Sequence, residues 1–448
     1  MFKRLTNLCV VLVQRYLPDP FLFAVILTLV VYFAGMATTG QGSIVMIDHW
    51  TNGFWKLLAF SMQMALILVT GHTLANAPIF KKGLSSLAKV AKTPNQAILA
   101  VTVVGIIASF INWGFGLVIG ALYARQLARE VKGVDYRLLI ASAYSGFLVW
   151  HGGLSGSIPL KLGSAKGLAD ITSGAVTEAI PTSITIFGTM NLVIFAVLLF
   201  TLPFLNRAMH PSKEEDVISC DPALLEEEPI PAKIENPTPA DRMENSPVLS
   251  ILIGVLGMIF VFKYFYTKGF SLNLNIVNFT FLFAGILLHG TPRRFLNAMT
   301  QAGKSTIGII IQFPFYAGIM GMMVGATGDG GSLAGGISNM FVSISTETTF
   351  PLFTFLSAGI VNFFVPSGGG QWAVQAPIMM PAGAALGVPA AKTAMAIAWG
   401  DAWTNMIQPF WALPALGIAG LSAKDIMGFC LIDLFYSGIV ISVVMLLF

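Results

Sequence analysis

The chain has 448 residues, of which 25 Lys and Arg and 21 Asp and Glu carry formal charge, for a net charge of +4. Charged residues make up 10% of it, against roughly 25% in average soluble proteins, while apolar types reach 55% and mean hydropathy is +0.78. These proportions exclude a soluble globular protein, a disordered chain and a secreted disulfide scaffold; they indicate an all-α polytopic membrane protein in a lipid bilayer, with no nucleic-acid partner.

Apolar stretches of roughly 17–25 residues are long enough to cross a bilayer as helices. In chain order they fall at 20–37, 57–76, 138–160, 180–205, 248–266, 272–289, 305–325, 393–420 and 425–447, about nine transmembrane helices. The first reads as a retained span and not a cleaved signal peptide, because many more follow it. Two further stretches are interrupted. Residues 97–123 break at Asn112-Trp113-Gly114-Phe115-Gly116, and residues 350–389 break at Pro366-Ser367-Gly368-Gly369-Gly370.

Lys81, Lys82, Lys89 and Lys92 precede the first interrupted stretch, and Arg125, Arg129, Lys132 and Arg137 follow it. Basic residues mark the cytoplasmic side, so both ends lie there and the segment is a re-entrant hairpin. Arms of about 14 residues each, at 1.5 Å per residue, would reach only part-way across the core. The second stretch has no Lys or Arg between Lys304 and Lys392, as expected of a hairpin facing outside. With the N-terminus cytoplasmic in a bacterial inner membrane, 19 of the 25 basic residues fall inside. Only Lys56, Lys161, Lys166, Lys263, Lys268 and Lys392 fall outside.

The two halves match at a fixed offset: Gly71 with Gly321, Asn112 with Asn362, Gly120 with Gly370, and Pro159 with Pro409. Matched broken segments point to inverted repeats. The expected organisation is a first repeat at 1–205, an acidic cytoplasmic linker at 206–247 and a second repeat at 248–448. The linker holds ten acidic residues, including Glu226-Glu227-Glu228, and cannot bury a core of its own.

A broken helix in hydrocarbon leaves backbone groups that need partners, and proteins tolerate this where the break lines a cavity or binds something. Half-helix N-termini suit anions and carbonyl ends suit cations. Candidate substrate-binding residues are therefore Asn112, Gly114, Asn362, Ser367, Gly368 and Gln371, whose polar groups bind without the cost of a buried charge. A coupling Na⁺ would lie near Asn112 and Asn362. A second matched pair of polar stretches, Trp150–Pro159 and Gly400–Pro409, lies inside spans and should be unwound there. It contributes the ion-coupling candidates Asp401, Asn405 and His151; Asp433, deep in the last span, is a weaker candidate. With no Arg or Lys deep in the apolar core, a small monoanion is favoured as substrate.

The chain has no H-E-x-x-H, no G-x-x-x-x-G-K-[ST] and no G-x-S-x-G, so it reads as neither an enzyme nor an ATP-driven pump. Cys9, Cys220 and Cys430 are widely spaced and form no metal or disulfide motif. No cofactor is expected beyond Na⁺ or H⁺ as coupling ion.

Longer strings carry a family resemblance. Arg-Tyr-Leu-Pro-Asp-Pro (15–20), Gly53-Phe54-Trp55-Lys56-Leu57-Leu58-Ala59-Phe60, Ile111–Leu117, Gln312–Gly318, Val365–Gly370, Gln408–Pro414 and Asp425-Ile426-Met427-Gly428 resemble the short-chain fatty acid transporter family, within a wider superfamily of ion-coupled carriers. The resemblance spans nearly the whole chain and is least close in the linker. It implies uptake of monocarboxylates such as acetoacetate and butyrate, and an elevator-type homodimer whose hairpin tips hold substrate and ions. The residues so implicated are Asn112, Gly114, Asn362, Ser367 and Gly368. Alternatives at this stage are a carrier for dicarboxylates or aminobenzoyl-type carboxylates, or a non-coupled channel.

Overall fold

The computed structural model describes residues 2–165, 167–221, 237–269, 273–304, 306–326 and 331–448. Lys166 and the Glu226–Glu228 run lie outside the described residues. The described residues form helices α1 (Phe2–Tyr16), α2 (Pro20–Thr39), α3 (Ser43–Phe54), α4 (Leu58–Asn76), α5 (Pro78–Ala88), α6 (Pro94–Ile111), α7 (Trp113–Glu130) and α8 (Tyr136–Ser145). A 3₁₀ turn (Gly146–Gly152) leads to α9 (Ser157–Leu162), α10 (Leu168–Ile171), α11 (Thr189–Met209) and α12 (Pro239–Glu244). The second half contains α13 (Pro247–Lys268), α14 (Leu274–His289), α15 (Pro292–Gly303), α16 (Ile307–Val324), α17 (Leu333–Ser343), α18 (Phe350–Phe364) and α19 (Gly368–Ala385). It ends with α20 (Ala390–Thr404), a 3₁₀ turn (Asn405–Ile407), α21 (Pro409–Ala419) and α22 (Ala423–Leu447).

Local chemistry sets these boundaries. Asp19 caps α2, accepting from Phe21 N–H at 2.9 Å with Pro20 in the first turn, and Thr93 and Pro94 open α6 in the same way. Ser422 and Asp425 form a capping box at the start of α22. By length and composition, six of the described helices could cross a bilayer: α2, α6, α11, α13, α16 and α22.

Several sequence expectations shift. The expected span 180–205 becomes helical only at Thr189, because Pro181 and a run of turns occupy 180–188. The arms of the first interrupted stretch are 18 residues each, not 14, so at 1.5 Å per residue each approaches about 27 Å, close to a bilayer core. The first part of the expected linker is anchored: Tyr136 N–H donates to Ile218 O at 2.8 Å, and Ile218 N–H to Asp135 Oδ2 at 3.1 Å. The spans 138–160 and 393–420 are indeed interrupted, at 146–156 and at 405–408.

Helices of the two halves pack against one another. Helix α3 packs on α16 and α15 on α4; α7 packs on α21 and α19 on α9. The 3₁₀ turn 146–152 presses against α6 so closely that a Cβ on Gly146 would overlap the Gly105 backbone. This contact brings the unwound segment against the first broken stretch.

Candidate functional site

At the first break Asn112 is extended (φ −155°, ψ 125°) and caps α7, its Oδ1 accepting from Phe115 N–H at 3.0 Å. Its Nδ2 has no partner, and the residue is fully buried. Gly114 is buried on the first turn of α7. The tip docks on the unwound segment of its own half: Leu154 N–H donates to Phe110 O at 2.7 Å, and Trp113 N–H to Ser155 Oγ at 3.0 Å.

The second break is built alike. Val365 and Pro366 separate α18 from α19, and Ser367 caps α19, accepting from Gly370 N–H at 3.3 Å. Asn362, on the last turn of α18, donates to Thr404 Oγ1 at 2.9 Å and to Asn405 Oδ1 at 2.8 Å. Thr404 spends its own proton on Gly359 O at 2.8 Å, which fixes its hydroxyl as the acceptor and orients the Asn362 amide. Both Asn362 N–H groups are thus committed, and its unpartnered atom is the carbonyl Oδ1. In this conformation Asn362 therefore presents an acceptor and not a donor. Gln371 is engaged within the hairpin, donating to Ala358 O at 3.0 Å and Gln375 Oε1 at 2.7 Å.

The two unwound segments meet at the centre. His151 Nδ1 lies 2.7 Å from Asp401 Oδ2, with both residues fully buried and 250 positions apart. Ile158 N–H donates to His151 Nε2 at 3.1 Å, so Nε2 is the unprotonated nitrogen and Nδ1 carries the proton given to Asp401. Asp401 Oδ1 has no partner. Trp150 stacks on the imidazole, with centroids 4.0 Å apart and planes at 14°. Asn405 joins the same region through its carbonyl, which accepts from Tyr144 Oη at 2.5 Å.

Gly368, the first residue of α19, lies against this imidazole: a Cβ there would be 2.7 Å from Cε1 and 3.0 Å from Nε2 of His151. Among the described residues, the Gly368 and Gly369 N–H groups meet no acceptor, as expected in the first turn of a helix. Lys161 completes this corner, its Nζ 3.4 Å from where a Cβ on Gly369 would stand. From sequence alone Lys161 falls outside the spans, and its neighbours carry no signal of this position.

Asn191 was likewise missed. It accepts from Trp399 Nε1 at 2.9 Å and donates to Gly152 O at 2.8 Å, tying α20 to the first unwound segment. Asp433 is fully buried on α22, and neither of its oxygens has a hydrogen-bond partner, so no hydrogen bond links it to Asp401 or to a hairpin tip. Among the described residues no three His, Cys, Asp or Glu side chains gather as a metal cluster. A cavity of about 700 Å³ touches the second break at Gly370 and is lined by Thr39, Met320, Ser332, Asn339 and Pro377. None of the residues nominated from sequence lines it.

The chain matches the family described as "Short chain fatty acid transporter" over residues 1–448. It is 46% identical over 450 residues to a protein of Escherichia coli K12, covering 100% of both chains. It is 45% identical over 443 residues to one of Haemophilus influenzae Rd, covering 98% of both. Each of these relatives is named "Putative short-chain fatty acid transporter". Among solved structures it is similar to the Alcanivorax borkumensis YdaH transporter, with 14% identity, a TM-score of 0.40, and 95% of this chain and 98% of that one covered.

Proposed function

The chain belongs to the short-chain fatty acid transporter family, and from that premise we propose that it is a secondary active carrier for monocarboxylates such as acetoacetate and butyrate, driven by co-transported H⁺ or Na⁺ across the bacterial inner membrane. The observation that carries this reading is the corner at the start of α19. Two backbone N–H groups without acceptors, a half-helix N-terminus and the Lys161 ammonium converge on one spot, next to a buried carboxylate–imidazole pair.

A carboxylate there accepts from the Gly368 and Gly369 amides and from Lys161, which offsets its single negative charge. Among the described residues one cation, Lys161, stands at this corner, which favours a monoanion over a dicarboxylate. Asn112, with a free Nδ2 and complete burial, is a donor that becomes available once the first tip separates from 153–155. Asn362 Oδ1 supplies an acceptor for a cation. The cavity at Gly370 gives the acyl tail of a four-carbon acid ample room, since ligand pockets run about 300–1,000 Å³.

In this reading 1–205 and 248–448 are inverted repeats joined by the linker, and 97–123 and 350–389 are the two re-entrant hairpins. The packing of the two halves against one another supports it. The elevator motion and the homodimer rest on the family resemblance. Ligand-induced thermal stabilisation of purified protein tests the substrate class, because a ligand that binds only the folded chain raises its apparent stability by mass action. Acetoacetate and butyrate should stabilise at lower concentration than succinate or aminobenzoate. A stronger response to succinate would move the reading to dicarboxylates.

A further inference from the structure

We infer that the coupling ion is a proton, and that it is bound by the His151–Asp401 pair at Asp401 Oδ1. The inference rests on the carrier reading above and adds the ion and the atom that holds it. Its basis is an inventory of donors and acceptors. Ile158 N–H occupies Nε2 of His151, and a protonated imidazole cannot accept that bond. In this conformation His151 is therefore neutral, with its one proton on Nδ1 directed at Asp401 Oδ2 at 2.7 Å.

Asp401, fully buried, is then either an anion with one hydrogen bond and no cationic partner, or an acid with its proton on Oδ1. Isolated anions in a low-dielectric interior are strongly disfavoured, whereas a neutral acid is tolerated. Oδ1 is free to receive the proton.

Among the described residues the surrounding elements place no cation in hydrogen-bond contact with Asp401. Helices α6, α18 and α19 carry no charged residue. Helix α7 carries Arg125, Arg129 and Glu130 in its last two turns, and α8 carries Arg137 in its first. Helix α11 has Arg207 in its last turn, and α20 has Lys392 in its first. The remaining titratable groups on these elements are Lys161 on α9, which stands at Gly369, Tyr123 on α7, Tyr136 and Tyr144 on α8, and Lys424, Asp425, Cys430, Asp433 and Tyr436 on α22. Asp433 adds negative charge if ionised.

Position makes this proton a coupling proton. Gly368 lies on the Nε2–Cε1 edge of the same imidazole whose Nδ1 holds Asp401. A carboxylate bound at the start of α19 and an ionised Asp401 are like charges separated by one imidazole ring, a repulsion worth about tenfold in affinity in a protein interior. Protonating Oδ1 removes it. The proton enters from water with the substrate, forms the O–H bond of the carboxylic acid, and leaves to water on the far side when that bond breaks; no other group is consumed.

The test counts protons taken up when acetoacetate binds to the purified full-length protein. The readout is the pH change in weakly buffered solution, with affinity followed across pH and Na⁺ concentration. Wild type should take up protons only around the Asp401 midpoint, about half a proton per acetoacetate for a tenfold coupling. Its affinity should fall by about tenfold in all as pH rises through the midpoint, because proton and substrate binding are linked, and Na⁺ should have no effect. Asp401→Asn should bind with no proton uptake and no pH dependence. His151→Gln keeps a donor for Asp401 and should still take up a proton, with a shifted midpoint.

Wild-type binding that releases or takes up no proton and strengthens with Na⁺ overturns the inference, whatever the variants do. Proton uptake that persists in Asp401→Asn overturns the assignment to that residue. Absence of acetoacetate binding under every condition counts instead against the carrier reading itself.

Discussion

Lys161 separates an electrostatic site from a purely structural helix end. Its ammonium reaches the corner at Gly369 while its stem projects from α9. Lys161 is solvent-exposed, and an exposed charge pair contributes up to about 1 kcal/mol, so Lys161→Gln should weaken acetoacetate affinity up to about fivefold. Lys161→Arg should recover part of it, as read by ligand-induced thermal stabilisation; unchanged affinity would leave the backbone amides as the whole site. Ser155 makes a second prediction at this scale. Ser155→Ala removes the hydroxyl that accepts from Trp113 N–H at 3.0 Å and docks the first tip, and should cost about 0.5–1.5 kcal/mol by thermal unfolding. His151 and Asp401 were both legible in the sequence as polar residues at matched positions. Their contact was not, because an offset says which residues are counterparts and not whether counterparts meet. Lys161 and Asn191 gave no signal at all: a lysine near Gly163 and Ser164 looks like a loop residue, and a lone asparagine within the apolar stretch 180–205 has no matched polar partner to single it out.

At the level of elements, the breaks were legible for a chemical reason. Asn112, Pro366-Ser367, Gly153–Gly156 and Gln408-Pro409 include residue types that end a helix or cap the next one, and each stands between two helical segments or opens the second. Arm length was misjudged because hydropathy drew the boundary, although Thr93-Pro94 is a helix-start signal that places it at 94. Helices α3, α15 and α17 went unseen because 11 or 12 residues are too short to register as spans. The tight contact of the unwound segment with α6 makes its own prediction. Gly146→Val drives a branched side chain into the Gly105 backbone and should lower stability by about 1–3 kcal/mol or more. Gly83→Ala on α5, where nothing lies within 4 Å of the new Cβ, should be neutral or slightly stabilising. Equal effects of the two would mean that the 146–152 segment is not held against α6.

For the whole molecule, the account requires both ends of the first hairpin on one side and both ends of the second on the other. In a chain with Cys220 replaced by Ser, and Cys9 and Cys430 left buried, Lys92→Cys and Lys132→Cys should react with a membrane-impermeant thiol reagent only from the cytoplasmic face. Glu347→Cys and Lys392→Cys should react only from outside; labelling of Lys92→Cys and Lys132→Cys from opposite faces would turn the hairpin into two spans. The central claim is that this molecule carries short-chain carboxylates, and counterflow measures it most directly. Proteoliposomes preloaded with unlabelled acetoacetate are diluted into labelled acetoacetate, with protein-free vesicles correcting for acid that crosses the lipid unaided. The account predicts a transient overshoot of label above its equilibrium level that unlabelled butyrate in the outside medium suppresses. Label that rises only to equilibrium, at the rate of protein-free vesicles, would contradict it.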